Sequence, residues 1–262
     1  IMAKYFIYPN ANLYSADPVG GDQTGGSNNF AADATSATNE TRLTDVSIGA
    51  AAGMPAQYDT VQFDLTASGN TIDSIAVHST AEDADDIDWY ANDSATTNAY
   101  ATGITGSSMT TINEGWTVKT GVTVSSSSPA TRYYYMRQSA GANNTLTEVI
   151  LGTQLSLTNV ELSGTEGKIH GNKILTSQGG VEYSNKRHDG KKFWNFNLKF
   201  VSSSYKTSLE TMRTALYGPH DKFLYYDDSA YYYVRMSDDS LQFKEVAFGV
   251  YDTNIKLIEQ LS

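Results

Sequence analysis

Side chains that could do chemistry are concentrated in an acidic run, residues 82–88, which supplies Glu82, Asp83, Asp85, Asp86 and Asp88. Carboxylate oxygens at close spacing are ligands that Ca2+ prefers. An EF-hand loop that starts at Asp83 needs a ligand at its fifth position and a glutamate at its twelfth, but Ile87 and Ser94 stand there. We therefore favour a solvated acidic turn and predict no cofactor. The alternative is a Ca2+ site of another kind, with the ligands Asp83, Asp85, Asp86 and Asp88.

The remaining candidate catalytic groups are scattered along the chain. The four histidines lie in separate segments, and none has the spacing of a His-Glu-x-x-His metal site. The sequence has no nucleophile elbow, phosphate-binding loop or dinucleotide fingerprint. A carboxylate pair such as Asp64 and Glu148 could cleave a glycoside only if the fold brought its members together. With no cysteine in the chain, thiol chemistry and disulfides are also excluded. We expect no enzymatic activity.

Consecutive aromatic residues are the most prominent side-chain pattern, at residues 133–135, 225–226 and 231–233. Neighbours on a strand point to opposite faces, so one ring fills the core while the next is exposed unless something covers it. An exposed tyrosine suits a protein interface or a sugar. In the C-terminal part we favour a subunit interface, formed by Trp194, Tyr225, Tyr226, Tyr231 and Tyr233. In the N-terminal part a glycan site is equally open, formed by Trp89, Tyr90, Asn92, Arg132 and Tyr134.

Charge is distributed unevenly along the chain. Residues 1–160 carry 5 basic and 16 acidic side chains, whereas residues 161–262 carry 13 of each, so the whole net charge of −11 lies in the first part. An acidic surface repels nucleic acid and anionic membranes. No apolar run approaches the roughly 20 residues that span a bilayer, and the first residues lack the pattern of a signal peptide. We expect a two-part soluble protein, made in the cytoplasm, that neither binds nucleic acid nor enters a membrane.

Hydrophobic periodicity predicts a mainly β fold. Short alternating strands separated by Ser, Gly and Asn turns are typical of a β-sandwich. One helix is predicted at 204–217, because Tyr205, Leu209, Met212 and Leu216 fall on one face and Gly218-Pro219 follows. The preceding strand places Trp194, Phe196, Leu198 and Phe200 on one face. The predicted organisation is an extended arm and loops over 1–55, a sandwich over 56–155, connector strands and turns over 156–190, and a C-terminal domain over 191–262.

The middle of the chain resembles the galactose-binding-like, or discoidin-type, jelly roll. The resemblance rests on short pieces at residues 58–65, 73–78, 89–93, 132–137 and 146–152, including an arginine- and tyrosine-rich strand near the end. It implies a jelly-roll β-sandwich.

The last part, about 80 residues, resembles the small split β-barrel of phage tail hub proteins, including distal tail and minor tail proteins. The resemblance rests on the order of elements: the Trp194 strand, the helix with Leu209 and Met212, the link at residues 219–223, two tyrosine- and phenylalanine-rich strands, and a closing strand at residues 254–259. It implies a virion protein of a tailed bacteriophage, located in the tail or baseplate. Such a protein forms a homo-oligomeric ring, a trimer or hexamer, and docks neighbouring tail proteins. Here the family's usual order, barrel before sandwich, is reversed. The alternative function is a glycan-binding module on the virion surface that contributes to host recognition.

Overall fold

The computed structural model describes residues 4–10, 19–22, 59–65, 72–79, 86–92, 104–105, 108–110, 114–124, 133–138, 146–161, 164–178, 180 and 182–260. The chain divides into two compact units. The N-terminal unit is Ile7–Gln154, and the C-terminal unit combines Ile1–Phe6 with Leu155–Ser262. Across the described residues the fold is mainly β with one α-helix, which confirms the predicted fold class.

The described elements have the following bounds. The strands are β1 Tyr5–Pro9, β2 Val19–Asp22, β3 Asp59–Asp64, β4 Ser74–Ser79, β5 Asp86–Asn92, β6 Ile104–Thr105, β7 Met109–Thr110, β8 Gly115–Thr120, β9 Thr123–Val124, β10 Tyr133–Gln138, β11 Leu146–Ser156, β12 Thr165–Thr176, β13 Glu182–Ser202, β14 Phe223–Tyr226, β15 Tyr231–Met236, β16 Phe243–Ala247 and β17 Val250–Glu259. The helix is α1 Ser203–Ala215.

Two antiparallel sheets build the N-terminal unit around one apolar core. One sheet has the order β2-β3-β10-β5-β7, and the other places β11, β4 and β8 side by side. Trp89 and Tyr134 from the first sheet and Ile75 and Val149 from the second belong to the same buried cluster. In β5 buried residues alternate with half-buried ones, as a strand does when one face covers a core. Two sheets that share a core have the architecture of a β-sandwich.

The arm predicted over residues 1–55 contains two described strands. Near its start, Tyr5–Pro9 forms β1. Gly20 and Gly21, expected within the loops of this arm, instead lie in β2 and pair with β3. Backbone pairing needs no side chain, so an edge strand accepts glycines that locally resemble a turn. The rest of the predicted arm lies outside the described residues.

The C-terminal unit is an antiparallel sheet with α1 packed on it. Its strand order is β12-β13-β17-β15-β14, followed by Tyr5 and Phe6 of β1, and β16 pairs with residues 250–253 at the start of β17. The described strands form an open arrangement with no closed barrel among them, so the small split β-barrel that the resemblance to tail hub proteins implied is not seen there. The predicted connector, 156–190, differs most from expectation, since most of it forms β12 and the first half of β13. Its glycines and asparagines resemble turns locally but are accommodated by two register shifts near Gly171.

The helix begins one residue earlier and ends two residues earlier than predicted. Ser202 caps it, since its hydroxyl accepts a hydrogen bond from the Tyr205 backbone N–H at 3.2 Å. Leu209, Met212 and Leu216 are buried as the periodicity predicts. Tyr217 and Gly218 both have positive φ, which ends the helix, and the Gly218 N–H donates to the Arg213 carbonyl.

Phe200 departs from its predicted place on the buried face of β13. Trp194, Phe196 and Leu198 are buried, but Phe200 is 71% exposed. The register of β13 against β17 shifts between Leu198 and Val201, and Phe200 adopts φ 55° at this bulge. Val201 is buried in its place, because an extra residue in one strand reverses the faces that follow.

Candidate assembly surface

The outer half of the β12–β13 hairpin carries apolar side chains that face solvent. The two strands pair from Thr165↔Asn195 to Thr176↔Glu182. Ile174, Leu175 and Tyr183 are 61%, 53% and 61% exposed. Because Ile174 and Leu175 are neighbours on one strand, they point to opposite faces of the hairpin. Both faces therefore present apolar surface.

Glycines at defined positions let this hairpin form. The turn closes when the Gly180 N–H donates to the Ser177 carbonyl at 2.9 Å, with Gly180 at φ 77°. Closer to the sheet, the Phe193 ring lies over Gly167 and the His170 ring lies over Gly190. A Cβ at either glycine would lie within 2.8 Å of the ring above it. These glycines therefore serve close cross-strand packing rather than the turns that the sequence suggested.

An open groove lies at the base of the same hairpin. Its volume is about 720 Å3, and it is lined by Lys4, Leu157, Asn159, Val160, Glu161, Gly164, Thr165, Glu166, Trp194 and Phe196. Val160 forms an isolated bridge with Leu198, and the Glu161 N–H donates to the Asn197 carbonyl at 2.8 Å. The edge of β13 is thus paired by residues 159–161 and again from Thr165 onward. Carboxylates at the exposed Glu161 and Glu166 border aromatic side chains, so the groove suits an apolar segment with positive charge beside it.

Next to this groove, hydrogen bonds fix the backbone conformation of Phe200. The Asp252 carboxylate accepts hydrogen bonds from the Lys199 ammonium at 2.9 Å and from the Phe200 N–H at 3.2 Å, and the Asn159 amide donates to the Phe200 carbonyl at 3.1 Å. The hydrogen bond from Lys199 holds the pKa of Asp252 below its ordinary value. A left-handed conformation in a bulky residue is uncommon and persists where its surroundings fix it. These contacts therefore hold an aromatic ring toward solvent.

Two of the residues predicted for a subunit interface belong instead to the core. Trp194 and Tyr225 are buried, and their rings lie 5.3 Å apart; the Phe196 ring is also 5.3 Å from Tyr225. Tyr225 was therefore wrong as an interface residue, because its strand face is covered within the unit. Trp194 also lines the groove, so its role in an interface stays a prediction. Burial raises the pKa of the Tyr225 hydroxyl. That hydroxyl has no hydrogen-bond partner among the residues that the structure describes.

The other three predicted interface tyrosines are half-buried. The hydroxyls of Tyr231 and Tyr5 are 2.7 Å apart, and burial raises the pKa of Tyr231. The Tyr226 ring packs at 4.8 Å from both of these rings. The Lys222 ammonium lies 5.6 Å from the centre of the Tyr233 ring. Their partly exposed faces leave a role in subunit contact as a prediction.

The predicted glycan site is not assembled as expected. Trp89 and Tyr134 are fully buried in the core of the N-terminal unit, which makes both wrong as sugar-contacting residues. Tyr90 is half-buried. The side chains of Asn92 and Arg132 lie outside the described residues. Side chains alternate between the two faces along β5 and β10, and these large rings lie on the face that covers the core of the sandwich.

The predicted acidic turn is described only at its end, where β5 begins. The Ser108 hydroxyl donates to the Asp88 carboxylate at 2.7 Å, so that carboxylate takes part in local structure. Asp83 and Asp85 lie outside the described residues, and for Asp86 only the backbone is described. In the described part of the chain, no group of three or more His, Cys, Asp or Glu residues is placed to hold a metal ion.

Comparison with known proteins does not assign this chain to a family. No family model matches the sequence, and no curated protein matches it either. No helix among the described residues is long and apolar enough to cross a membrane. The geometry of the molecule itself therefore has to support any function.

The hairpin and the groove are the features that sequence reasoning missed. Residues 174–175 gave a signal, since two adjacent branched aliphatic residues stand in an otherwise polar stretch. This stretch was nevertheless predicted to be a connector. Its strand structure depends on pairing with β13, which local sequence does not reveal.

Proposed function

We propose that this chain is a structural assembly protein, a tail or baseplate component of a tailed bacteriophage, whose copies join into a ring through the C-terminal unit. The observation that carries the proposal is the exposed apolar hairpin, with Ile174, Leu175 and Tyr183 more than half accessible on its two faces. A two-stranded hairpin is marginally stable in water by itself. Apolar side chains on both of its faces favour a partner that covers them.

The energy available from covering the hairpin is appreciable. Fully burying one large apolar side chain stabilises by about 1.5–3 kcal/mol. Three half-exposed side chains could therefore contribute about 2–4 kcal/mol to an interface before the costs of association. Further backbone hydrogen bonds are available because β12 ends the described sheet order. These terms suit an interface between copies that contacts both the hairpin and the sheet.

The assignment to a phage tail is supported by the order of elements in the C-terminal unit. A long strand, the helix α1, the β14–β15 hairpin and the pair β16–β17 follow one another in the order on which the resemblance to tail hub proteins rests. The turn between β16 and β17 adds a second exposed apolar site, with Val246 and the fully exposed Phe248. In a ring, such a turn is a suitable place to dock a neighbouring tail protein.

Sedimentation velocity of the full chain tests the proposal. We expect wild type to sediment as a closed oligomer, and a variant that combines Ile174→Ser, Leu175→Ser and Tyr183→Ser to sediment as a monomer. Tyr217→Ser is the matched control, because Tyr217 is 69% exposed but lies at the end of α1. Equal sedimentation of all three proteins would show that the hairpin does not hold copies together.

A further inference from the structure

We infer that the tip of the β12–β13 hairpin of one copy docks into the groove at the hairpin base of a second copy. This inference rests on the proposed self-assembly and names the two surfaces that would meet. The tip is formed by Ile174, Leu175 and Tyr183, and the groove has Trp194 and Phe196 among its lining residues.

The length of the hairpin indicates that this contact joins two different copies. Thr165 lines the groove, and Thr176 is the last residue of β12. Eleven strand residues at about 3.3 Å each separate them by about 36 Å. While β12 stays paired with β13, the tip cannot bend back into the groove of its own chain. The tip of a second copy can fill the groove that the tip of the same chain cannot reach.

The groove offers apolar contacts of the right kind and size. A volume of about 720 Å3 admits a few side chains and lies within the usual range of protein binding pockets. Leu157 and Val160 are half-exposed along its walls, so both would lose water contact when the groove is filled. Ile174 and Leu175 are the tip residues that could enter, and covering them removes the exposed apolar area that the isolated hairpin retains.

Charge is complementary between the two surfaces. By sequence, the outer half of the hairpin, residues 172–187, carries the basic residues Lys173, Lys186 and Arg187 and a single acidic residue, Glu182. The groove has two exposed carboxylates, Glu161 and Glu166, and one lysine, Lys4. A tip with net positive charge therefore meets a groove with net negative charge. Such complementarity favours this docking orientation over tip-to-tip or groove-to-groove pairing.

A contact between unlike surfaces has a consequence for symmetry. Each copy donates one tip and offers one groove, which makes the interface heterologous. Repeating it adds copies in one direction, and the assembly closes into a ring when the rotation per copy divides a full turn. A ring built by the tip-in-groove contact therefore needs no second kind of interface.

Cross-linking between two differently tagged full-length chains tests the inference. Because the natural chain has no cysteine, Thr165→Cys in one chain and Ser184→Cys in the other supply the only thiols. Thr165 lines the groove, and Ser184 pairs with Ile174 at the tip. Co-expressed and treated with a short bismaleimide, the two chains should give a covalent heterodimer, and either variant expressed alone should give none.

A charge exchange provides an independent readout. Glu161→Lys with Glu166→Lys should raise the concentration needed for assembly by up to about tenfold, since the groove would then carry charge of the same sign as the tip. Adding Lys186→Glu and Arg187→Glu to the same chain should restore assembly. Oligomers that persist with neither a heterodimer nor a charge effect would overturn the tip-in-groove contact and leave self-assembly standing. A wild-type chain that stays monomeric would overturn both.

Discussion

Leu175 of β12 pairs directly with Tyr183 of β13, and both side chains are more than half exposed. Cross-strand neighbours on one face contact each other, so the pair supports the hairpin while its outer surface stays accessible. Trp194 of β13 and Leu257 of β17 form a corresponding apolar pair that is buried. The hairpin tip thus presents a cross-strand apolar pair outside a core.

Replacing Leu175 should separate assembly from folding. We expect Leu175→Ser to weaken self-association while it changes the free energy of unfolding of the dilute chain by no more than about 0.5 kcal/mol, because the side chain has little core to leave. Leu209→Ala is the contrast, since Leu209 is fully buried in α1 and its truncation should cost about 2–5 kcal/mol. Urea unfolding checks both values. A large loss of stability in Leu175→Ser would place that side chain in the folding core.

Removing one hydroxyl from the aromatic core should not destabilise the protein. The Tyr225 hydroxyl is buried without a partner among the described residues, and a polar group in that state costs about 1–3 kcal/mol. We expect Tyr225→Phe to raise the free energy of unfolding by about 1 kcal/mol. Tyr225→Ala removes the ring as well and should lower it by about 3–5 kcal/mol. Chemical denaturation of the three proteins compares them, and a destabilised Tyr225→Phe would reveal a hydrogen bond to that hydroxyl.

The turn between β14 and β15 should respond to acid through Asp227. Its carboxylate accepts hydrogen bonds from the backbone of Ser229 and Ala230 at 3.1 Å each and from the Ser229 hydroxyl at 2.7 Å. Partial burial opposes ionisation, but these hydrogen bonds outweigh it and hold the pKa of Asp227 below its ordinary value of 3.8. A lowered folded pKa means that the stabilisation is complete above the ordinary value and is lost as the pH falls through the folded pKa.

Two substitutions distinguish the charge of Asp227 from the geometry of its turn. Asp227→Asn keeps an oxygen acceptor, so we expect the turn to remain folded. The loss of thermal stability at low pH should be smaller in this variant, because the carboxylate is absent. Asp227→Ala removes the acceptor and should cost about 1–2 kcal/mol at neutral pH. Thermal unfolding measured from pH 7 down to pH 3 checks both. An acid response in Asp227→Asn equal to that of wild type would assign the response to other carboxylates.

The positive φ at Phe200 should favour glycine over alanine at this position. Phe200 has φ 55° and a ring that is mostly exposed, so glycine removes the strain with little loss of buried area. We expect Phe200→Gly to be more stable than Phe200→Ala by about 1 kcal/mol, because alanine also lacks the ring but keeps the penalty of a Cβ. Differential scanning calorimetry of the two variants gives the comparison. Equal stability would mean that glycine's greater freedom in the unfolded chain cancels the relief.

Local pattern carried enough information for most of the fold. The alternation in β5 and the 3.6-residue period in α1 follow from which faces are buried, so the sequence predicts a mainly β chain with one helix near residues 204–217. The prediction that Phe200 lies on the buried face was wrong, because the bulge at this residue depends on pairing with β17. The local sequence of β13 does not indicate that bulge. Gly167 and Gly190 resembled turn residues, but their purpose is to let rings of the opposite strand lie close.

The candidate site was harder to predict, for a related reason. Aromatic type suggested that Trp89 and Trp194 meet a ligand or a subunit, yet both fill cores, where large rings contribute most area. The hairpin tip depends on paired residues 8 to 10 positions apart, and the groove depends on pairs about 30 positions apart, such as Thr165 and Asn195, and on how the edge of β13 is shared. Exposure of this kind results from tertiary pairing and has no periodic signature in the sequence.

Light scattering of the purified full chain over a wide range of concentration tests the central claim most directly. The proposal predicts a mass equal to a small whole number of 28.5 kDa chains, a trimer or a hexamer, that no longer grows once the ring is closed. Subunits should be lost on dilution, and the triple serine variant of the hairpin should remain at the mass of one chain. A wild-type protein with the mass of a single chain at every concentration would contradict self-assembly.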